Sequence, residues 1–413
     1  MNRTLGIAGG ILLAAASQAM ASGYRIPEQS LNSTARAGSY VAYTPGADAA
    51  YYNPANMSWL ENRWTLEADA TWIQLSSIDY IDTRSTYYNG SSEAEDFFLP
   101  TFFAVSPEYN SFRFGLSVTA PGGLSKRWQA PYPRTFAEEF SLKIFEINPT
   151  VSYKINDRLS VAAGVRGVYV DGKVKSNGVV SRSPYATATR DMDGDALEAG
   201  FNLAVTARPV ENMNVSLTYR SNVDLGIEGH ANLATSLPVS PMTYSGDTGV
   251  EIPLPAVLAV AVSYTFFDQL TVELEYDRTY WSEYDQLDFT YPTAFTNPIL
   301  SAAFDAPKPK NWRDTDAWRL SFAYDLKNNW ILMAGIAFDE NPAPSSTLGF
   351  ELPDSDAQLY SLGVRYTINE DMEMGVAYLY DDKESRTVSN KTIEGTLDNA
   401  AAHLVTVGFT YKF

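Results

Sequence analysis

His403-Leu404-Val405-Thr406-Val407-Gly408-Phe409-Thr410-Tyr411-Lys412-Phe413 closes the chain. Val405, Val407, Phe409, Tyr411 and Phe413 share one face of an extended chain, and polar or small residues fill the other. A period of two is the mark of a β-strand. In water, an edge strand this apolar would invite edge-to-edge aggregation. On the outer wall of a membrane barrel the same face meets lipid. Aromatic residues make up 13% of the chain, with 26 Tyr and 20 Phe, which suits the girdles at both bilayer interfaces. Many strand-like segments reach about ten residues, the length of a tilted spanning strand. No apolar run of the mature chain approaches the roughly 18 residues of a spanning helix. The most apolar strip, Ala256 to Val262, is far shorter.

Working back from that ending, Asn/Asp-rich turn signals recur. They fall at Pro107–Asn110, Ile155–Arg158, Pro209–Asn212, Phe267–Gln269, Lys327–Asn329 and Asn369–Asp371. Long polar stretches lie between them: Ile78–Asp96, Pro121–Glu139, Ser176–Gly194, Gly229–Gly249, Asp285–Lys310, Asn341–Asp354 and Lys383–Asp398. Short turns and long loops that alternate in this way join fourteen strands, with both barrel ends on the periplasmic side. The expected fold is all-β: a 14-stranded antiparallel transmembrane barrel, residues 61–413. Strand faces are legible within it. Leu270, Val272, Leu274 and Tyr276 point to lipid, while Thr271, Glu273 and Glu275 point inward. Met372, Met374, Val376, Tyr378 and Tyr380 likewise alternate with Asp371, Glu373, Gly375 and Ala377. A basic residue on the lipid face at midplane would cost roughly 2–4 kcal/mol, and an acidic one somewhat less.

Ahead of the barrel stand two further segments. Residues 1–21 read as an export signal: Arg3, the apolar Gly6–Ala16, then Ala19-Met20-Ala21 as a cleavage site, so that Ser22 opens the mature chain. Residues 22–60 are rich in small residues and low in charge. They end in Ala49-Ala50-Tyr51-Tyr52-Asn53-Pro54-Ala55-Asn56. Such a stretch either hangs in solvent or folds back into the lumen as a hatch, and we take the second.

The chain has no cysteine and a formal net charge of -19. That acidity argues against nucleic acid as a partner, because phosphate contacts need clustered Lys and Arg. The two histidines, His230 and His403, read as loop and interface residues, and no catalytic site is assigned. Glu273, Glu275 and Asp277 read as structural groups of a wet interior. Asp191-Met192-Asp193-Gly194-Asp195 lacks the closing Glu of a calcium loop, so no metal or cofactor is expected. Ala120-Pro121-Gly122-Gly123 breaks the clean strand Phe112–Thr119. It either opens an outer loop or bends the strand inward, leaving a gap that protein must line or that serves as a portal.

These residues together resemble the FadL family of outer-membrane transporters for long-chain fatty acids and other hydrophobic compounds. Asn53-Pro54-Ala55 after Asp48-Ala49-Ala50 matches the hatch motif. Ala317-Trp318-Arg319-Leu320, Asn329-Trp330, Gly335-Ile336-Ala337-Phe338-Asp339, Pro342-Ala343-Pro344 and Leu352-Pro353-Asp354-Ser355-Asp356 match its C-terminal block. The resemblance covers essentially the whole mature chain.

It implies passive uptake of long-chain fatty acids or similar hydrophobic molecules. Capture would occur among outer loops, with Trp128, Tyr132, Phe136 and Phe140 as candidates. Gating would involve Gly23, Tyr24, Arg25, Asn53, Pro54 and Ala55. Release would be lateral, through a gap at Ala120, Pro121, Gly122 and Gly123 in the third strand. Candidate pocket or headgroup residues are Tyr169, Lys173, Lys175, Arg313 and Arg319. The chain departs from the family pattern at Ser176, where an arginine is expected, and at Thr315 and Asp316. Neutral mono-aromatic or alkane hydrocarbons are the alternative cargo, and a general porin is a further alternative. The expected setting is the Gram-negative outer membrane, as a monomer among lipid and lipopolysaccharide. Phe413 would present the chain to the barrel-assembly machinery.

Overall fold

The computed structural model describes residues 23–183 and 185–413. The export signal and Ser22 lie outside the described residues. Fourteen antiparallel strands form one closed wall. They are β1 Thr65–Leu75, β2 Glu95–Val105, β3 Phe112–Arg127, β4 Glu139–Asn156, β5 Leu159–Arg182 and β6 Tyr185–Ala207. Next come β7, Met213–Arg220 continued by Val223–Thr235, and β8, Thr243–Leu254 continued by Val257–Phe266. The last six are β9 Leu270–Thr279, β10 Thr315–Asp325, β11 Trp330–Asp339, β12 Ala357–Asn369, β13 Met372–Lys383 and β14 Ala401–Lys412. Closure comes from β1 pairing with β14, from Thr65↔Lys412 through Leu75↔Ala402. Trp64 and Phe413 extend that seam by exchanging N–H···O bonds, each 3.0 Å.

All six expected short turns fall between strands. At one of them, Phe267 and Asp268 both hold left-handed φ, 55° and 53°, the backbone of a tight primed turn whose twist matches the strands it joins. The face assignments hold as well. Leu274, Met374, Val376 and Tyr378 are exposed, whereas Glu273, Glu275 and Ala377 are buried. The wall is thus apolar outside and polar inside, as lipid requires.

Two expected loops are instead largely strand, and a third begins as one. Residues 176–194 form the upper half of the β5–β6 hairpin, paired from Ser176↔Arg190 to Arg182↔Tyr185. Much of 229–249 belongs to β7 and β8, paired as far as Ala234↔Thr243. These ribbons rise beyond the lipid zone, where neither face need be apolar, so the alternation that marks a spanning strand fades. The third exception is β3, which runs on through Pro121, Gly122 and Gly123 to Arg127.

Candidate functional site

The wall parts between β2 and β3. Their ladder covers Phe102–Val105 against Gly115–Val118. They meet again only near the top, where Ser92 bridges Trp128 and Glu93 N donates to Arg127 O at 2.9 Å. Between these points β3 stays with β4, but its register slips between Thr119 and Gly122. Pro121 has no N–H to give a neighbour, and residues 120–126 are all buried. The upper half of β3 has therefore turned inward, away from β2.

Its new partner is the start of the described chain. Ile26 N donates to Pro121 O at 2.9 Å, Gly123 N donates to Tyr24 O at 2.8 Å, and Arg25 bridges Gly122. A Cβ on Gly122 would sit 2.9 Å from Tyr24 O, so this approach needs glycine. Beneath it, Gln29 Nε2 donates to Ala120 O at 2.9 Å and Ala120 N donates to Gln29 Oε1 at 2.8 Å. Thr101 Oγ1 of β2 donates to Gln29 O at 2.8 Å. One buried glutamine thus spans the parted strands and satisfies backbone groups that β2 has left.

Tyr24 itself enters an aromatic cage. Its ring lies edge-on to Trp281 at 4.6 Å and close to Trp312 at 5.8 Å, and its hydroxyl donates to Pro253 O. Burial, and after it the nearby Tyr284 phenol, raise its pKa well above the ordinary value. Gly23 has φ +68°, and a Cβ there would meet Trp281 Cζ2 at 2.7 Å. Arg25 Nη1 donates to Thr279 Oγ1 at 2.6 Å, at the top of β9.

The rest of the segment to Leu60 is clamped to inward-facing wall residues. Glu273 accepts from Val41 N and Ala42 N at 2.7 Å, from Tyr43 N at 2.9 Å, and pairs with Arg36 at 2.9 Å. Glu275 accepts from Tyr40 N at 2.8 Å. Arg319 joins Asp277 at 3.2 Å, Asp339 at 3.0 Å and Ala37 O at 3.1 Å. Asn53 caps the short helix Pro54–Trp59 by accepting from Ala55 N, while its Nδ2 donates to Val41 O at 2.7 Å and Thr206 Oγ1 at 2.8 Å. Ala55 packs on Ala162 and Ala204. The Asn-Pro-Ala motif therefore fastens the segment to β5 and β6.

The sequence-chosen pocket residues do not converge. Tyr169, Lys173 and Lys175 alternate with the buried Val168, Val170 and Val174, so they occupy the outer face of β5. Lys175 pairs there with Asp191 at 2.9 Å, and Lys173 lies 3.8 Å from Glu139. Arg313 is exposed, and Arg319 is fully engaged. Three of the capture candidates do gather. Trp128, Tyr132 and Phe136 surround Phe350 at 5.3, 5.9 and 5.8 Å. Trp128 Nε1 also donates to Phe350 O at 2.9 Å. Phe140 lies apart, beside Met192, Ile227 and Phe289 at a small apolar cavity of about 40 Å³. Gln29, the Trp281–Trp312 cage and the buried Arg190 escaped the sequence reading. Each acts through partners far away in the chain, and no local spacing marks them.

A family model described as "Outer membrane protein transport protein (OMPP1/FadL/TodX)" matches residues 12–413. The long-chain fatty acid transport protein of Escherichia coli O6:H1 is 23% identical, over 96% of this chain and 95% of its own length. The crystal structure of a Pseudomonas aeruginosa FadL homologue superposes with a TM-score of 0.82 at 20% identity, covering 95% of this chain and all of that one. The Pseudomonas putida toluene transporter TodX gives a TM-score of 0.74 at 16% identity, covering 96% and 99%. The chain belongs to the OMPP1/FadL/TodX family of outer-membrane transport proteins and is a transporter of the Gram-negative outer membrane, not an enzyme.

Proposed function

We propose that this protein takes up long-chain fatty acids or similar hydrophobic molecules passively, and that residues 22–60 act as a hatch gating a lateral exit between β2 and β3. The parting of β3 from β2 is the observation that carries this reading. In lipid, an unpartnered backbone group costs several kcal/mol. Here the hatch supplies the partners through Tyr24, Ile26 and Gln29. Displacing the hatch tip would open a path from the lumen to the bilayer. The rim suits apolar cargo: Phe97 and Phe145, half-buried, pack against the apolar cluster to which Ile26, Leu99 and Ala120 belong. No energy source is needed, since each CH₂ moved out of water into lipid gains about 0.8 kcal/mol. Tyr132 and Phe136, half-buried over the fully buried Trp128 and Phe350, offer an apolar landing place among the outer loops. A filled lumen also argues against a general porin, which should conduct ions freely in planar bilayers.

Neutral hydrocarbons are the second reading. It is favoured by the positions of Tyr169, Lys173, Lys175, Arg313 and Arg319, none of which offers a free cation to the interior.

The test is to replace Pro121-Gly122-Gly123 with strand-forming residues and follow radiolabelled oleate entering cells at matched protein levels. Uptake should fall severalfold or more. Unchanged uptake of a confirmed substrate would overturn lateral exit.

A further inference from the structure

At the short-turn end of the barrel, the periplasmic side, a cavity of about 230 Å³ lies between the N-terminal segment and the wall. The short helix Pro54–Trp59 supplies Asn56 and Trp59, and the wall supplies Arg208, between β6 and β7, with Asn214 of β7. Lys412, at the end of β14, and Glu61 complete the charged lining. Glu61 is the single acid there. Its side chain is 60% exposed, which marks the mouth, and it lies 3.5 Å from Lys412. The volume falls below the roughly 300–1,000 Å³ of whole small-molecule sites, so it suits the end of a chain.

Three polar groups of this lining are left unpaired. The Arg208 guanidinium lies 4.0 Å from the Trp59 ring centre, and its Nε donates to Asn214 Oδ1 at 3.0 Å. Nη1 and Nη2 make no hydrogen bond and no ion pair among the described residues. Burial pulls the pKa of Arg208 down to about 10, opposed by the Tyr43 phenol and by no carboxylate. Stacking and the Nε bond fix the plane of the guanidinium, so the free fork is held ready for a planar acceptor. Trp59 Nε1 is a buried donor with no partner. Asn56 is 5% exposed. Its Nδ2 is spent on Val41 O, Ala42 O and Thr44 Oγ1, while Oδ1 is a buried acceptor with no partner. Unmet groups of this kind are costly. A bare anion would answer the two donors and leave the Asn56 oxygen unmet. A carboxylate with an amide N–H beside it answers all three.

We propose that this cavity binds the carboxyl end of a peptide, with its carboxylate on Arg208 and Trp59 Nε1 and its last amide N–H on Asn56 Oδ1. Ala42, Pro45 and Leu60 give a small terminal side chain an apolar seat. The periplasm holds two sources of such an end, which differ in handedness: protein tails end in an L-residue and cell-wall stem peptides in a D-residue. The site goes beyond transport and is independent of the cargo.

The test uses the purified full chain in detergent and equilibrium dialysis of radiolabelled N-acetyl-L-alanyl-L-alanine, its D,D isomer and the matching C-terminal amides. At least one acid should bind, and its amide should bind about 10- to 100-fold more weakly, the worth of a charge-assisted pair. Arg208→Gln should weaken that acid by about the same factor and leave the amide within about twofold. Trp59→Phe, which keeps a ring against Arg208 but removes the N–H, should cost about 2- to 10-fold. Tighter binding of the L,L acid would support the site and assign it to a protein tail. Tighter binding of the D,D acid would support it and assign it to the cell wall. Binding of neither acid would overturn the proposal and leave the cavity to water. So would equal binding of acid and amide, unchanged affinity in heat-modifiable Arg208→Gln and Trp59→Phe barrels, or displacement of the peptide by an equal concentration of acetate.

Discussion

Gln29 grips Ala120 by both backbone groups, accepting from its N–H at 2.8 Å and donating to its carbonyl at 2.9 Å. A side-chain amide carries the same donor and acceptor as a peptide, so Gln29 stands in for the missing stretch of β2. Gln29→Ala would leave both Ala120 groups unpaired, at about 1–3 kcal/mol each. Amide exchange at Ala120 should quicken by roughly tenfold or more, and bound ligand should leave faster. Heat-modifiability, which reports the wall, should stay as it is. Unaltered exchange at Ala120 would count against the latch.

Glu273 clamps the N-terminal segment, with one guanidinium and three peptide N–H groups around its carboxylate. Removing one partner of a buried pair costs about 3–5 kcal/mol. In Glu273→Ala, residues 36–43 should become protease-sensitive while the barrel survives boiling-shift assays as before. Conductance in planar bilayers should rise. Loss of the barrel itself would show that the carboxylate is needed for the wall.

Gly23 tolerates no side chain. Its φ is +68°, and an added methyl would press on the Trp281 ring at 2.7 Å. Gly23→Ala should push the tip out of its cage at a cost of about 1–3 kcal/mol. The readout is loss of exchange protection at Ile26 N and Gly123 N, the two amides that tie the tip to β3. Retained protection at both would mean that the cage yields.

Glu28 predicts a pH dependence for the N-terminal segment. Neither carboxylate oxygen has a hydrogen bond, and Arg319 Nη1 is 3.9 Å from the nearer one. Burial, opposed by Arg319, pushes its carboxyl up to about 7. The folded segment then holds a proton that the unfolded chain loses near pH 4.5. Stability from this group is present below that value and is lost as pH rises through 7, a swing of roughly 3 kcal/mol. Protection factors across residues 28–36, with the intrinsic base-catalysed rise divided out, should fall between pH 4.5 and 7.5, and Glu28→Gln should flatten that profile. A slope that persists in Glu28→Gln would assign it to another group.

The wall was legible because lipid enforces a strict rule. Every spanning strand must alternate, so Leu274 against Glu273 and Val376 against Ala377 could be read without any partner. Turns were legible for a similar reason, since Phe267-Asp268 and Asn369-Glu370 interrupt that alternation. Above the bilayer the rule lapses, and the β5–β6 ribbon passed for a loop. Lys173 and Lys175 show a second limit. They are cations, as a headgroup site would need, but they sit on the outer face, whereas Arg190, across the hairpin from Ser176, is buried. Gln29 shows a third. Nothing near it in sequence announces Ala120, and only the folded chain brings an amide to that carbonyl.

The seam between β1 and β14 has a consequence for how the molecule is made. Thr34 meets Thr406 hydroxyl to hydroxyl at 2.9 Å, across 372 positions of chain. The N-terminal segment is synthesised first, yet the last strand builds one side of its chamber. Contacts of such long range form late. The segment must therefore wait, uncommitted, while the wall assembles, and it completes its seat only once the C-terminal strand has docked against β1. Synthesis order and assembly order run opposite ways in this protein.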